Sequence, residues 1–165
     1  MNTILLDPAH GGTKSGVSNH VVKESDIVLD ISRNLFDLFV DLGYQVKTTR
    51  SSDSDVHAEL RASKVEVNDI LISIHAGEPL SVWYHADNLE SYKLAEYIRS
   101  MLYCEMHSDF ERYPGTGYSI LRSSLRRGAK SAVLLCCGEL KEVCSIVAQE
   151  HIAELVSTAV SSYSM

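Results

Sequence analysis

Short apolar runs alternate along the chain with longer segments of helical periodicity. Six segments have the continuous or alternating apolar pattern of β-strands; they are residues 3–7, 44–49, 69–76, 81–85, 118–122 and 131–137. In the intervening segments apolar residues recur every three or four positions, the spacing of a helix that packs one face on a core. The predicted helices run from Ser25 or Asp26 to Gly43 and over residues 55–67, 90–106 and 141–162. In the helix over 55–67, Leu60 and Val67 are expected to point inward.

This alternation predicts the α/β class. We expect a mostly parallel, twisted sheet of about six strands, with helices on both faces. The 165 residues contain no internal repeat, low-complexity tract or linker, and their number is typical of one domain. The sequence therefore predicts a single domain over residues 1–165.

Composition and charge exclude several classes of function. The chain is 45% hydrophobic and 22% charged, as in ordinary globular proteins, and its net charge of −7 argues against binding to nucleic acid or anionic membranes. No apolar run is long enough to cross a bilayer, and no signal peptide precedes Asp7, so synthesis in the cytoplasm is expected. The four cysteines, at positions 104, 136, 137 and 144, form no CxxC pair and are expected to be reduced thiols.

Three residues at predicted strand and helix ends could bind a metal ion. His10 follows the first strand in LLDPAHGG (5–12), His75 ends the third strand, and Glu24 opens the first long helix. In α/β sheets functional residues gather beyond the carboxyl ends of the strands. Two imidazoles and one carboxylate are a usual ligand set for catalytic zinc. These residues are far apart in the sequence, so an α/β protein with purely structural histidines is the alternative.

Seven segments, taken in order, carry a family resemblance. They are LLDPAHGG (5–12), VVKESDIVLDIS (21–32), GYQVKTTR (43–50), LRASKVEVNDILISIHA (60–76), ESYKLAEYI (90–98), YSILRSS (118–124) and AVLL (132–135). Together they resemble the zinc-dependent N-acetylmuramoyl-L-alanine amidases of the type-three amidase family. The resemblance covers nearly the whole chain, with Ala9 standing where the family usually has glycine.

The resemblance implies a zinc ion held by His10, Glu24 and His75. Zinc would polarise the amide carbonyl between the muramic acid lactyl group and L-alanine, and would lower the pKa of its bound water. The implied substrate is peptidoglycan or a muropeptide. Asp7 is expected to shape the loop or orient a ligand rather than bind the metal.

The resemblance fails at one position that matters for catalysis. The family pattern has a glutamate at the end of the AVLVE-like strand, as general base and later proton donor, whereas this chain has Cys136. Three interpretations stay open. Glu139 could reach back across a bulge at Gly138, Cys136 could act as a base or an added zinc ligand, or the chain could have lost the catalytic step.

Other polar residues could line a substrate groove. Arg112 and Arg122 could pair with peptide carboxylates, and Tyr84 and His85 end a predicted strand. The leading hypothesis is a zinc amidase resembling a phage lysis enzyme, made in the cytoplasm and acting on the cell wall after release. The alternative is a zinc-binding but catalytically impaired module that recognises muropeptide or regulates a partner.

Overall fold

The computed structural model describes residues 3–106, 111–114 and 118–164. Its strands are β1 (Thr3–Pro8), β2 (Gln45–Thr48), β3 (Ile70–His75), β4 (Glu78–Tyr84), β5 (Glu111–Pro114) and β6 (Ser131–Gly138). Its helices are α1 (Glu24–Asp41), α2 (Ala58–Ala62), α3 (Leu89–Met106), α4 (Ser119–Arg126), α5 (Leu140–Val143) and α6 (Ile146–Ser164). In the described ranges no helix has both the length and the hydropathy needed to cross a membrane.

The strands form one sheet in the order β2-β1-β3-β6-β4-β5. The first four in this order are parallel to one another, β4 runs antiparallel beside β6, and β5 is parallel to β4. At the carboxyl edge Pro8 is in register with Ile74, and His75 with Cys136. The α/β class and the mostly parallel sheet are confirmed. This edge is where the functional residues were expected.

Helices cover both faces of the sheet. Neighbouring residues of each central strand point to opposite faces, so each strand presents apolar side chains to the helices on both sides. On one face Leu6 and Ile72 pack in the larger core with α1, α3 and α6. On the other face Leu5 and Leu71 pack in a smaller core with residues of α2 and α4. The central strands are therefore buried on both sides, which explains their continuous apolar sequences.

Several sequence-based predictions were wrong. Residues 118–122 were predicted as a strand, but Ser119–Arg126 is a helix that buries Ile120, Leu121 and Ser124 at helical spacing. The strand β5 was not predicted. The final helix is divided, because α5 ends at Val143 and α6 begins at Ile146.

The short helix α2 also differs from its prediction. It covers only Ala58–Ala62, and Leu60 and Val67 are 58% and 71% exposed rather than turned inward. Arg61 is buried instead, because its guanidinium reaches a buried carboxylate at the carboxyl half of β1.

That carboxylate, Asp7, is fully buried beneath the loop that follows β1. It accepts hydrogen bonds from Thr49 Oγ1 and Ser73 Oγ, each at 2.7 Å, and Arg61 Nη1 lies 3.1 Å from its Oδ2. These partners come from the segment after β2, from β3 and from α2. Asp7 thus joins three segments directly below the candidate site.

We predict that Arg61→Ala lowers the free energy of unfolding by about 3–5 kcal/mol, because it leaves a buried carboxylate without its cation. Arg33→Ala is the matched control, since Arg33 pairs with Asp30 at 3.0 Å on the surface and such pairs contribute about 0–1 kcal/mol. Urea denaturation at neutral pH measures both variants. Equal losses would contradict a structural role for the buried pair.

Candidate metal centre

Three segments bring His10, Glu24 and His75 together at the carboxyl edge of the sheet. His10 lies in the loop after β1, Glu24 is the first residue of α1, and His75 is the last residue of β3. The backbone of His10 has φ 59°, a left-handed conformation that non-glycine residues adopt at a cost of about 1–2 kcal/mol. The fold therefore holds this histidine in an uncommon conformation next to the other two residues.

The three side chains form a compact group of nitrogen and oxygen donors. His10 Nε2 lies 3.3 Å from Glu24 Oε2, and His75 Nδ1 lies 3.2 Å from Glu24 Oε1. The two imidazole rings meet edge to face, with centroids 5.5 Å apart. One ligand atom from each residue lies within 4.8 Å of the others, close enough for all three to bind one metal ion.

Glu24 is the most enclosed member of the group. Its side chain is 3% exposed, whereas those of His10 and His75 are 33% and 23% exposed. Its oxygens also accept hydrogen bonds from the backbone N–H groups of Val17 and Ala76, at 3.0 and 3.1 Å. Burial by itself would raise the pKa of this carboxyl. The contacts with both histidines and both N–H groups outweigh burial and hold its pKa far below the usual range.

Arg50 fixes the backbone segments that carry His10 and Glu24. The residue is 4% exposed, and its guanidinium donates to the carbonyl oxygens of Pro8, Ala9 and Ser25, at 3.0, 2.8 and 2.8 Å. The first two oxygens precede His10 and the third follows Glu24. One side chain thereby sets the spacing between two candidate ligands.

The three candidate ligands line a cavity of about 310 Å³. Among the described residues, its walls also include Gly16, Val17, Ala76, Glu78, Ser81, Trp83, Tyr118, Leu134 and Cys136. The rings of Trp83 and Tyr118 meet at 69° with centroids 5.2 Å apart, forming an aromatic wall. The site is thus a polar group of donors beside a larger, partly apolar space that a ligand could fill.

Cys136 lines this cavity but is not among the three residues whose donor atoms come together. Its Sγ donates to the backbone oxygen of Glu78 at 3.3 Å. Burial raises the pKa of the thiol, and the charges of Glu24 and Glu78 add to that effect. The side chain is therefore a protonated thiol at neutral pH.

Glu139 lies just outside the sheet, at the start of α5. Its backbone N–H donates to Glu142 Oε2 at 3.0 Å, and its own carboxylate lies 2.7 Å from Lys141 Nζ. Its side chain is 45% exposed and is not among the residues that line the cavity. The structure thus places this carboxylate in a local ion pair at the surface.

The two arginines of the sequence analysis lie elsewhere. Arg122 lines a separate cavity of about 470 Å³ together with His85, Asn88 and Arg126. Arg112 lies on β5, where its backbone is in register with Val82, and its side chain is outside the described part of the structure.

The sequence did not single out the cavity residues Glu78, Ser81 and Tyr118. Glu78 and Ser81 belong to the first half of β4, which reaches the functional edge only because this strand is antiparallel. Tyr118 directly precedes α4, in a segment predicted as a strand. In the sequence, Glu78 could have been identified from its position three residues after the candidate ligand His75.

The sequence profile of the N-acetylmuramoyl-L-alanine amidase family matches residues 4–160. The chain belongs to this family. Two curated relatives match in part: the amidase AmiC of Escherichia coli is 39% identical over 77 residues, and the probable cell wall amidase LytH of Staphylococcus aureus is 35% identical over 91. These matches cover 44% and 50% of this chain but only 18% and 31% of the relatives.

Solved structures of amidases share the fold over nearly all of the chain. The CwlD amidase of Clostridioides difficile, solved in complex with the GerS lipoprotein, has a TM-score of 0.87 at 23% identity and covers 99% of this chain and 98% of its own. An amidase from Clostridium difficile 630 has a TM-score of 0.83 at 25% identity, over 98% and 96% of the two chains. The similarity in fold thus extends over nearly the whole length of both chains in each comparison.

The glycine at position 16 leaves room for the candidate ligands. Gly16 has φ 69°, and a Cβ there would overlap Glu24 Oε2 and lie 2.7 Å from His10 Cδ2. Gly43 has φ 84°, and a Cβ at that position would have no atom within 4 Å. The two positions therefore differ in steric contact but share a left-handed backbone.

We predict that Gly16→Ala lowers the free energy of unfolding by about 1–3 kcal/mol more than Gly43→Ala does. Both variants carry the strain of a positive φ, and only the first must displace Glu24 or His10. Urea denaturation of the metal-free proteins gives the difference. Equal losses in the two variants would mean that the side chains around Gly16 can move aside freely.

Proposed function

We propose that this chain is a zinc-dependent peptidoglycan amidase that hydrolyses the amide bond between N-acetylmuramic acid and L-alanine. The observation that carries the proposal is the meeting of His10, Glu24 and His75 at one cavity, in a chain that belongs to the amidase family. Peptidoglycan or a muropeptide is the proposed substrate. A role in cell lysis, by protein released from the cytoplasm onto the wall, is part of the same proposal.

The donor set fits zinc. Two imidazole nitrogens and one carboxylate oxygen are the protein ligands of many catalytic zinc sites, which keep a further position for water or substrate. Here the three donors lie within 4.8 Å of one another beside an open cavity. When bound, the metal supplies Lewis-acid activation of the amide carbonyl and of water.

The protein's own contribution is to hold these donors in place. The N–H groups of Val17 and Ala76 fix the Glu24 carboxylate from its two sides, and Arg50 fixes the loops around it. Partners of this kind orient ligands, and their loss typically lowers metal affinity about 10–100-fold. Such an arrangement favours a site formed before the metal arrives.

The cavity wall supports binding of a substrate that is partly apolar. Trp83 and Tyr118 present ring surfaces next to the donors, and rigid aromatic side chains contribute contact area with little loss of conformational freedom. We further propose that Arg122 contacts a carboxylate of the stem peptide from its separate cavity. The same contact is proposed for Arg112.

The impaired, muropeptide-binding alternative rests on Cys136. Its buried thiol stands where the family pattern has a carboxylate, and a protonated thiol cannot accept the proton of an attacking water. Loss of a positioned acid–base group typically lowers rates about 10²–10⁴-fold. Metal binding and hydrolysis therefore need separate tests.

We predict one zinc ion per chain in the parent protein and a loss of zinc affinity of at least ~100-fold in His75→Ala, because one of three protein ligands is removed. His151→Ala is the matched control, since His151 lies exposed on α6. Elemental analysis after dialysis against buffered zinc gives the occupancy. Parent-like zinc binding by His75→Ala would contradict the ligand assignment.

We predict that the zinc-loaded protein releases new N-terminal L-alanine from peptidoglycan and no new reducing sugar ends, because the proposed reaction cleaves an amide bond. Free amines and reducing ends are measured on the same digest. Removal of zinc by a chelator should stop the reaction, and added zinc should restore it. Reducing ends without free amines would indicate a glycosidase, and zinc-loaded protein that only binds muropeptide would support the impaired module.

A further inference from the structure

The cavity contains a second carboxylate beside that of the candidate ligand Glu24. Among the described lining residues, Glu24 and Glu78 carry the carboxylates. Glu24 is held by both histidines and by two backbone N–H groups. Glu78 is exposed, and its side chain has no hydrogen bond or ion pair with any described residue. It is therefore available to act on a molecule in the cavity.

The backbone of Glu78 is attached to the end of β6, where the family pattern has its glutamate. Glu78 is in register with Gly138, and its backbone oxygen accepts from Cys136 Sγ at 3.3 Å. The preceding N–H, of Gly77, donates to Gly138 O at 2.8 Å. Two bonds thus fix the start of β4 against residues 136 and 138.

A break in the strand register accompanies this attachment. The pairing of β4 with β6 shifts between Glu78 and Ser81, and such bulges redirect side chains, often next to active sites. The charge of Glu78 also reaches into the cavity. After burial, it is a cause of the raised pKa of both Tyr118 and Cys136.

We propose that Glu78, from β4, supplies the acid–base carboxylate that the family pattern places on β6 at the position of Cys136. This inference rests on the proposed amidase function and names the catalytic residue for it. The chain then keeps an acid–base carboxylate in the cavity, but on β4 rather than on β6. Cys136 becomes a small, protonated wall residue whose thiol holds the Glu78 backbone.

In the proposed reaction the Glu78 carboxylate accepts a proton from water as the water oxygen bonds to the amide carbonyl carbon. When the carbon–nitrogen bond breaks, Glu78 donates that proton to the departing amine nitrogen of L-alanine. The products are the lactyl carboxylic acid and the free amine, and Glu78 returns to its starting state. One water is consumed, and no other reactant is needed.

The first test compares Glu78→Gln with Glu150→Gln, a change on the exposed side of α6. We expect Glu78→Gln to lower kcat by at least ~100-fold, while zinc content and muropeptide affinity stay within about twofold of the parent. Glu150→Gln should keep the parent kcat. Parent-like turnover by Glu78→Gln, or loss of turnover only in Glu139→Gln, would overturn the assignment.

The second test moves the carboxylate back to β6. In the Glu78→Gln background, Cys136→Glu should raise kcat by at least ~10-fold, because either strand can then present the group to the same space. In the parent background the same change should raise kcat by less than about threefold. A large gain in the parent background, or no gain in the Glu78→Gln background, would refute the proposal.

A third readout does not depend on activity. Removing the Glu78 charge favours the Cys136 thiolate, so in metal-free protein at low ionic strength Cys136 alkylation should be at least ~2-fold faster in Glu78→Gln. An unchanged rate would place the carboxylate too far from position 136 for the proposed role. A zinc-loaded parent that hydrolyses no peptidoglycan would instead refute the proposed function itself, so the two failures are distinguishable.

Discussion

The buried carboxylate of Glu24 is the constraint around which this edge of the sheet is built. An ionised group removed from water must be compensated by nearby donors or charges, or it becomes strongly destabilising. The compensation comes from His10 and His75 and from the N–H groups of Val17 and Ala76. These donors belong to the loop before α1 and to the end of β3 and the residue after it. Satisfying one carboxylate therefore requires all three ligand-bearing segments to be in place.

Two further buried charged residues, Asp7 and Arg50, stabilise the segments around Glu24. Asp7 is neutralised by Arg61 and joined by hydroxyl groups to β3 and to the segment after β2. Arg50 has a different environment, since it donates to backbone carbonyl oxygens on both sides of the loop. Charge-assisted hydrogen bonds are stronger than neutral ones. The buried guanidinium of Arg50 thus holds the backbone at both ends of the loop between β1 and α1.

The sequence predicted those parts of the structure that follow from local periodicity and from parallel topology. The carboxyl ends of neighbouring parallel strands lie at the same edge of a sheet. The sequence alone could therefore predict that His10 and His75 lie close together. The segment 118–122 was misassigned because two adjacent apolar residues, Ile120 and Leu121, fit a strand or a helix in so short a window. The orientation of α2 could not be predicted, because the buried partner of Arg61 lies far away in the sequence, at Asp7. Ion pairing between distant segments overrode the local apolar pattern of Leu60 and Val67.

The direction of β4 explains why the end of that strand, with Tyr84 and His85, lies away from the candidate metal centre. A search for functional residues at strand ends selects Tyr84 and His85, but β4 runs antiparallel to β6. Tyr84 is consequently in register with Val133 near the start of β6, whereas Glu78 is in register with Gly138 at its end. In this mixed sheet, the edge with the candidate metal centre contains the carboxyl ends of the parallel strands and the amino end of the antiparallel strand β4. Neighbouring strands lie only about 4.8 Å apart, so a side chain from the start of β4 can reach the space that a residue at the end of β6 would fill. A polar group can therefore move from the end of β6 to the start of β4 without leaving the site, because β4 runs antiparallel to β6.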